Sequence, residues 1–215
     1  MGFDLEGLLL RLPVVLFALT VHEFMHGWVA HKCGDDTALE AGRLTLNPLP
    51  HLDFLGTLCL MFAPIGWAKP VPVNAANFRY ETRRRDEILV SGAGVAANFT
   101  MGIASAVAIR FLGPMLVTGG EVAGIVFEML ALAALVNFGL GLFNLLPIPP
   151  LDGSHILENL LPPEAAMRFA HLRRYGVFLL LGFVFLSHYA ARTIGVSLLG
   201  YPIRMLMRFF SGFPF

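Results

Sequence analysis

LLLRLPVVLFALTVHEFMHGWVA, residues 8–30, is an apolar run that also carries His22, Glu23 and His26 in close succession. A membrane-spanning helix needs about 20 mostly apolar residues. The run meets that length even with Arg11 and Pro13 in its first half. An ionisable group at the centre of a bilayer costs about 2.5–3.5 kcal/mol on insertion scales, so such groups are paired and functional by default. On a helix, residues four apart share a face, about 6 Å apart along the axis. His22 and His26 can therefore hold one metal ion between them. Glu23, inside the same HExxH pattern, is placed to act as general base toward a metal-activated water. On a soluble helix the same three residues would sit on a wet surface at no cost. Inside an apolar run they need a reason.

The rest of the chain repeats the apolar theme. Of 215 residues, 56% are hydrophobic and 14% charged, against about 25% charged in soluble domains. Mean hydropathy is +0.70. Further spans are expected at residues 88–112, 122–146 and 175–191. Pro147, Pro149 and Pro150 stop the third, because proline removes donors and clashes with the preceding turn. Residues 55–68 are too short and too broken by Gly56, Pro64 and Gly66 to cross, and read as a re-entrant or interfacial segment. The tail, residues 193–215, is apolar but carries Arg204 and Arg208. It is either a fifth span or a helix lying in the interface. The fold class expected is an all-α polytopic membrane protein of four to six transmembrane helices, with a re-entrant or short β segment near residues 42–74. It forms a single domain, 1–215, with a catalytic core at about 8–160 and C-terminal helices at about 175–213.

Net charge is zero, with no sign of nucleic-acid binding. Cys33 and Cys59 are not in a CxxC pattern and read as apolar residues. Asp4 and Glu6 replace the basic start of a signal peptide, so the first run is read as retained. Arg79, Arg83, Arg84 and Arg85 lie in one loop, and Arg168, Arg173 and Arg174 in another. Both loops are expected on the cytoplasmic side, and the first span then runs from outside to inside.

A hydrolytic zinc takes three protein ligands and a water. The third candidate is Asp152, just past the third span. That span ends on the side where the first one ends, so His22, His26 and Asp152 are expected at similar depth. Aspartate before a helix is also a common cap, and that reading stays open.

These residues resemble the site-2 protease family of intramembrane metalloproteases. Its HExxH helix matches His22 to His26, and its NxxPxxxxDG motif matches Asn144 to Gly153. GRLTLNPLPHLD (42–53), GWAKPVPVN (66–74) and Gly94-xxx-Asn98 are similar to stretches of its short bacterial members, which carry no PDZ or CBS domain. The likeness covers roughly residues 15–160. It implies one zinc per chain on His22, His26 and Asp152, with Glu23 as base. It implies that Asn144 contacts the substrate backbone or steadies the oxyanion, though a helix–helix hydrogen bond explains that residue equally well. It implies transmembrane protein substrates, cleaved in a prokaryotic cell membrane with the active site toward the cytoplasm. Residues 42–74 would supply irregular backbone or short strands, to which an unwound substrate adds as an extended strand. Oligomeric state and substrate identity stay open.

Other polar residues weigh less. His51 and Asp53 suit a loop-stabilising role as well as a catalytic one. Asn98 suits packing, beside a Gly94 that lets helices approach. His155 reads as a surface histidine in the turn after Asp152, or as a residue behind the metal ligands. Glu128 is mid-span with no evident partner, and His188 reads as an interface residue. Two other classes fit the buried polar groups. One is a non-haem iron enzyme, which uses two histidines and a carboxylate. The other is an ion transporter, which leaves the His-Glu-His spacing unexplained.

Overall fold

A computed structural model describes residues 5–62, 66–193, 195 and 197–215. Helices dominate. The long ones are α1 (Leu5–Lys32), α4 (Arg83–Thr118), α5 (Glu121–Asn144) and α8 (Gly176–Thr193). The short ones are α2 (Thr37–Glu40), α3 (Phe54–Phe62), α6 (Asp152–Leu160), α7 (Pro163–Ala170) and α9 (Gly200–Ser211). Among the described residues four stretches are long and apolar enough to cross a membrane: 7–32, 83–118, 121–144 and 163–193. The chain is an all-α polytopic protein, as its hydropathy pattern requires. Pro13 and Pro114 sit inside α1 and α4 without ending them, which spanning helices tolerate when neighbours satisfy the freed carbonyls.

α4 is the central helix, packed by α1, α5, α6 and α9. Its partners fix its direction. His26 meets Val90 and His22 meets Asn98, so α1 and α4 are antiparallel. Gly141 packs on Phe99 and Phe138 on Gly102, so α5 is antiparallel to α4. α1 and α5 are thus parallel, and their C-terminal ends lie together. α6 begins at that same end. The prolines after Leu146 end α5, and the Pro149–Pro150 peptide is cis.

Between α1 and α4 the chain folds back on itself. Among the described residues the β character of 42–74 amounts to one antiparallel bridge, Leu52 with Ala68. Lys69 N–H donates to the His51 carbonyl at 2.8 Å, and Arg43 donates to the Lys69 carbonyl at 2.6 Å. Residues 66–74 then run as an extended strap across α1. Val71 is buried there, and a Cβ on Gly27 would touch both it and Ala38 at 3.2 Å. The strap is tied at its far end by Asp35, which is wholly buried and accepts from Asn74 N–H, the Asn77 amide and Thr37.

Of the two forms expected for the tail, the fifth span is excluded by length. α9 has 12 residues, about 18 Å of helix against a hydrocarbon core of about 30 Å. One apolar face packs inward, while Tyr201, Met205 and Phe209 stay exposed. Met207 is buried with Ala106, Ala134 and Phe138 of α4 and α5. Arg204 and Arg208 are exposed on its flank. α8 packs mainly on the 3-10 turn His171–Tyr175 before it, leaving Phe178, Leu181 and Phe185 exposed.

Candidate metal centre

α1 carries His22 and His26 on one face, toward α4 and the start of α6. His22 Nε2 and His26 Nε2 are 3.0 Å apart. Asp152 Oδ2 is 3.2 Å from the first and 3.4 Å from the second. Both histidines are buried, and Asp152 is largely so. Among the described residues these three form the single cluster of metal-ligating side chains.

The far nitrogens decide what the near ones are. His26 Nδ1 lies 2.7 Å from the Val90 carbonyl, which can only accept, so Nδ1 carries the proton. His22 Nδ1 lies 2.6 Å from Asn98 Oδ1 and donates to it. Neutral imidazoles in these tautomers point bare Nε2 lone pairs at each other and at a carboxylate oxygen. Asp152 Oδ2 has no hydrogen-bond partner although it is buried. Such a triangle of acceptors is unfavourable unless a cation lies among them. Its edges match the roughly 3.3 Å between ligand atoms of a tetrahedral zinc with bonds of about 2.0–2.1 Å. Two histidines and one carboxylate are also a catalytic zinc's donor set. The residues present fit the metal.

Glycines make the space. A Cβ on Gly94 of α4 would lie 2.4 Å from His26 Nε2 and 2.7 Å from His22 Cε1. A Cβ on Gly153 would lie 2.2 Å from the Leu145 carbonyl oxygen. The first lets the imidazoles stand against α4. The second lets α6 begin hard against the end of α5, which brings Asp152 over the histidines.

Glu23 is next to these groups and is held by the strap. Its Oε2 accepts from Val71 N–H at 2.8 Å. Pro70 and Pro72 have no N–H, so Val71 supplies the one donor in this tripeptide. Asn144 is at the last turn of α5, and its amide donates to Leu140 of its own helix at 3.1 Å. That bond is local and does not join it to the triad.

The remaining polar residues separate. His51 is buried, with Nε2 donating to the Thr45 carbonyl at 2.9 Å, and it knits the loop. Asp53 accepts from Gly56 N–H at 2.8 Å, as a cap of α3 does. His155 stands one turn along α6 from Asp152, with Arg173 at 3.4 Å from its Nδ1. Burial and then Arg173 push its pKa down. Glu128 and His188 are exposed, on α5 and α8. Cys33 and Cys59 are free thiols. Sequence reasoning passed over Asn137, Asp35 and the Val71 amide. Asn137 had a signal, an amide inside an apolar span. The other two had none, because their partners are set by the strap's path.

A polytopic helical bundle enclosing a His-His-Asp triad with an adjacent glutamate defines a membrane-embedded metallohydrolase. Comparison with known proteins agrees. The profile of peptidase family M50 matches residues 11–187. The chain belongs to this family, the site-2 protease family. YwhC of Bacillus subtilis, provisionally named a zinc metalloprotease, is 40% identical over 180 residues, covering 78% of this chain and 77% of that one. Rip2 of Mycobacterium tuberculosis, named likewise, is 36% identical over 175 residues, 79% of this chain and 64% of Rip2. Rip2 of Mycolicibacterium smegmatis is 32% identical over 164 residues, 75% of this chain and 61% of Rip2. No solved structure matches the chain. These relatives support a multi-pass zinc metalloprotease.

Proposed function

We propose that the chain is an intramembrane zinc endopeptidase that hydrolyses peptide bonds of transmembrane substrates, as in regulated intramembrane proteolysis. The observation that carries this is the convergence of three ligand atoms within an apolar bundle. His22 and His26 lie about 15 and 9 Å along α1 from Lys32, at 1.5 Å per residue. That is inside a membrane yet within reach of water from the end where the basic loops lie.

His22, His26 and Asp152 would hold one zinc per chain. The metal supplies Lewis-acid polarisation of the scissile carbonyl and a lowered pKa for the attacking water. Glu23 takes the proton from that water and returns it to the departing amine. The Val71 N–H fixes one carboxylate oxygen and leaves the other for this work. Asn144, at the edge of the site, donates its amide to substrate backbone or developing oxyanion after leaving Leu140. A substrate stretch unwound beside the strap meets an edge of carbonyls, since Pro70 and Pro72 carry no N–H and Lys69 and Val71 turn theirs inward. The substrate would provide the donors. The whole chain, 1–215, works as one domain, in a prokaryotic cell membrane with its active site toward the cytoplasm.

The test is Glu23→Gln. The amide keeps the shape but cannot take a proton, so zinc should stay and cleavage of a helical membrane substrate in liposomes should stop. Cleavage at the wild-type rate would refute the mechanism. Iron rather than zinc in protein purified without added metal would favour the oxygenase reading instead.

A further inference from the structure

Behind the triad, polar groups lie end to end across three helices. Asn137 of α5 donates Nδ2–H to the Ala133 carbonyl at 2.9 Å. Its Oδ1 accepts from Asn98 Nδ2 of α4 at 2.9 Å. The other Asn98 amide proton points to the Ala18 carbonyl of α1, at 3.5 Å. Asn98 Oδ1 is 2.6 Å from His22 Nδ1. Asn98 is 0% exposed and Asn137 3%, so neither amide can turn to water for a substitute partner.

Each orientation follows from the one before it. The Ala133 carbonyl only accepts, so Asn137 must turn its NH₂ there and its oxygen to Asn98. Asn98 must then present NH₂ to Asn137 and its oxygen to His22. His22 is left to donate through Nδ1, with Nε2 bare. His26 reaches the same state differently, because Nδ1 rests directly on the Val90 carbonyl, and backbone cannot flip. Only His22 depends on side chains for its tautomer.

Asparagines between membrane helices often serve as glue. Glue accounts for the Asn98–Asn137 bond and for Asn98 on Ala18. It does not call for an Asn98 oxygen aimed at a ring nitrogen whose other nitrogen faces Asp152.

We propose that Asn98 and Asn137 are positioning residues for the metal, an amide relay anchored on the Ala133 carbonyl that fixes the tautomer and ring orientation of His22. The inference rests on His22 being a ligand. Partners behind a metal-bound histidine commonly set its tautomer, and their loss costs about 10–100-fold in metal affinity. Asn137→Leu removes the 2.9 Å acceptor and leaves only the 3.5 Å contact with the Ala18 carbonyl to oppose a flip of Asn98. A flipped Asn98 offers NH₂ to His22 Nδ1, which moves the ring proton to Nε2, where the metal should bind. In Asn137→Asp, the introduced carboxyl, protonated in so dry a place, donates to Ala133 and accepts from Asn98, so the relay is kept.

The test uses the full chain in detergent, with zinc affinity measured by chelator competition. ¹⁵N-histidine spectra of the zinc-free protein report the tautomer, and the His22 signals are assigned by their absence in His22→Ala. Wild type should show His22 protonated on Nδ1. Asn137→Leu should weaken zinc binding about 10–100-fold and shift the His22 proton toward Nε2. Asn137→Asp should restore both. Because the relay is serial, Asn98→Leu combined with Asn137→Leu should lose no more affinity than Asn98→Leu alone. Wild-type His22 protonated on Nε2 and not on Nδ1 overturns the proposal even if the leucine variants fail to fold. So does an Asn137→Leu protein with unchanged affinity and tautomer. If His22→Ala binds zinc like wild type, the ligand reading itself fails and takes the relay with it.

Discussion

Gly94 stands so close to His26 that a methyl group in place of its hydrogen would come 2.4 Å from the imidazole Nε2. The same methyl would press on His22 at 2.7 Å. Both rings are pinned from behind, by Val90 and Asn98, so neither can retreat.

Gly94→Ala should therefore displace both histidines while leaving α4 helical. Overpacking of this kind costs about 1–3 kcal/mol, and here it falls on two metal ligands at once. The expected result is a folded, inactive protein with little zinc, read by metal analysis of the purified chain. Full zinc occupancy and normal cleavage would show that the rings have room the geometry denies.

Gly153→Ala tests the other wall of the site. The added carbon would meet the Leu145 oxygen at 2.2 Å and the Leu146 oxygen at 2.6 Å, both backbone. α6 would have to move, and Asp152 is its first residue. Zinc affinity should fall toward that of Asp152→Ala, where two histidines alone remain. Wild-type affinity in Gly153→Ala would show that α6 can shift without carrying Asp152 off the histidines. If Asp152→Ala itself binds zinc normally, the carboxylate is no ligand.

Much of this site was legible in the sequence. The helical repeat alone puts His22 and His26 on one face, and the proline stop after Leu146 puts Asp152 at the end where α1 also finishes. What stayed hidden depends on folding at longer range. Gly94 reads as a site of close helix approach, but only packing shows that the approach is to two imidazoles. Asp35 and Val71 look unremarkable until the strap crosses α1. The tail reads as a span or an interfacial helix because its apolar content is visible, while the α4–α5 face that absorbs it is not.

Asp35 makes the strap sensitive to acid. Burial pushes its carboxyl up, but hydrogen bonds from Thr37, Asn74 and Asn77 outweigh that and hold it below its usual range. A carboxyl depressed in the folded state adds stability above its unfolded value, about 3.9. That stability is lost as pH falls through this value toward the folded one. Hydrogen exchange in residues 71–77 should accelerate below about pH 4 in wild type. In Asp35→Asn it should be faster at neutral pH, with the acid step gone. Equal acid steps in the two proteins would assign the effect to another group.

Charge predicts an orientation. Lys32, Lys69 and the Arg79–Arg85 cluster lie at the end of the bundle where α1 finishes and α4 begins, and Arg84 reaches the Leu161 carbonyl there. The opposite turn between α4 and α5 has no basic residue. The N-terminus should face away from the cytoplasm and residues 69–87 toward it. Single cysteines on a background without Cys33 and Cys59 would settle it. Labelling of the 79–85 loop from outside intact cells would reverse the orientation and put the site on the other side.

Asn144 offers the sharpest division between a chemical and a packing role. Its amide is satisfied by Leu140 in its own helix, a bond that any exposed helix end can make. If that is all it does, Asn144→Ala should cost about 1 kcal/mol of stability or less and nothing in rate. If the amide swings out to hold the substrate carbonyl as charge develops, zinc content should be unchanged and kcat should drop about 10²-fold, the lower end for loss of one oxyanion donor. KM should rise as well if ground-state backbone is held. Both constants can be measured with purified protein and a helical membrane substrate, alongside zinc on the same samples. A normal kcat in a zinc-replete Asn144→Ala protein would leave the oxyanion to the metal and to backbone N–H groups.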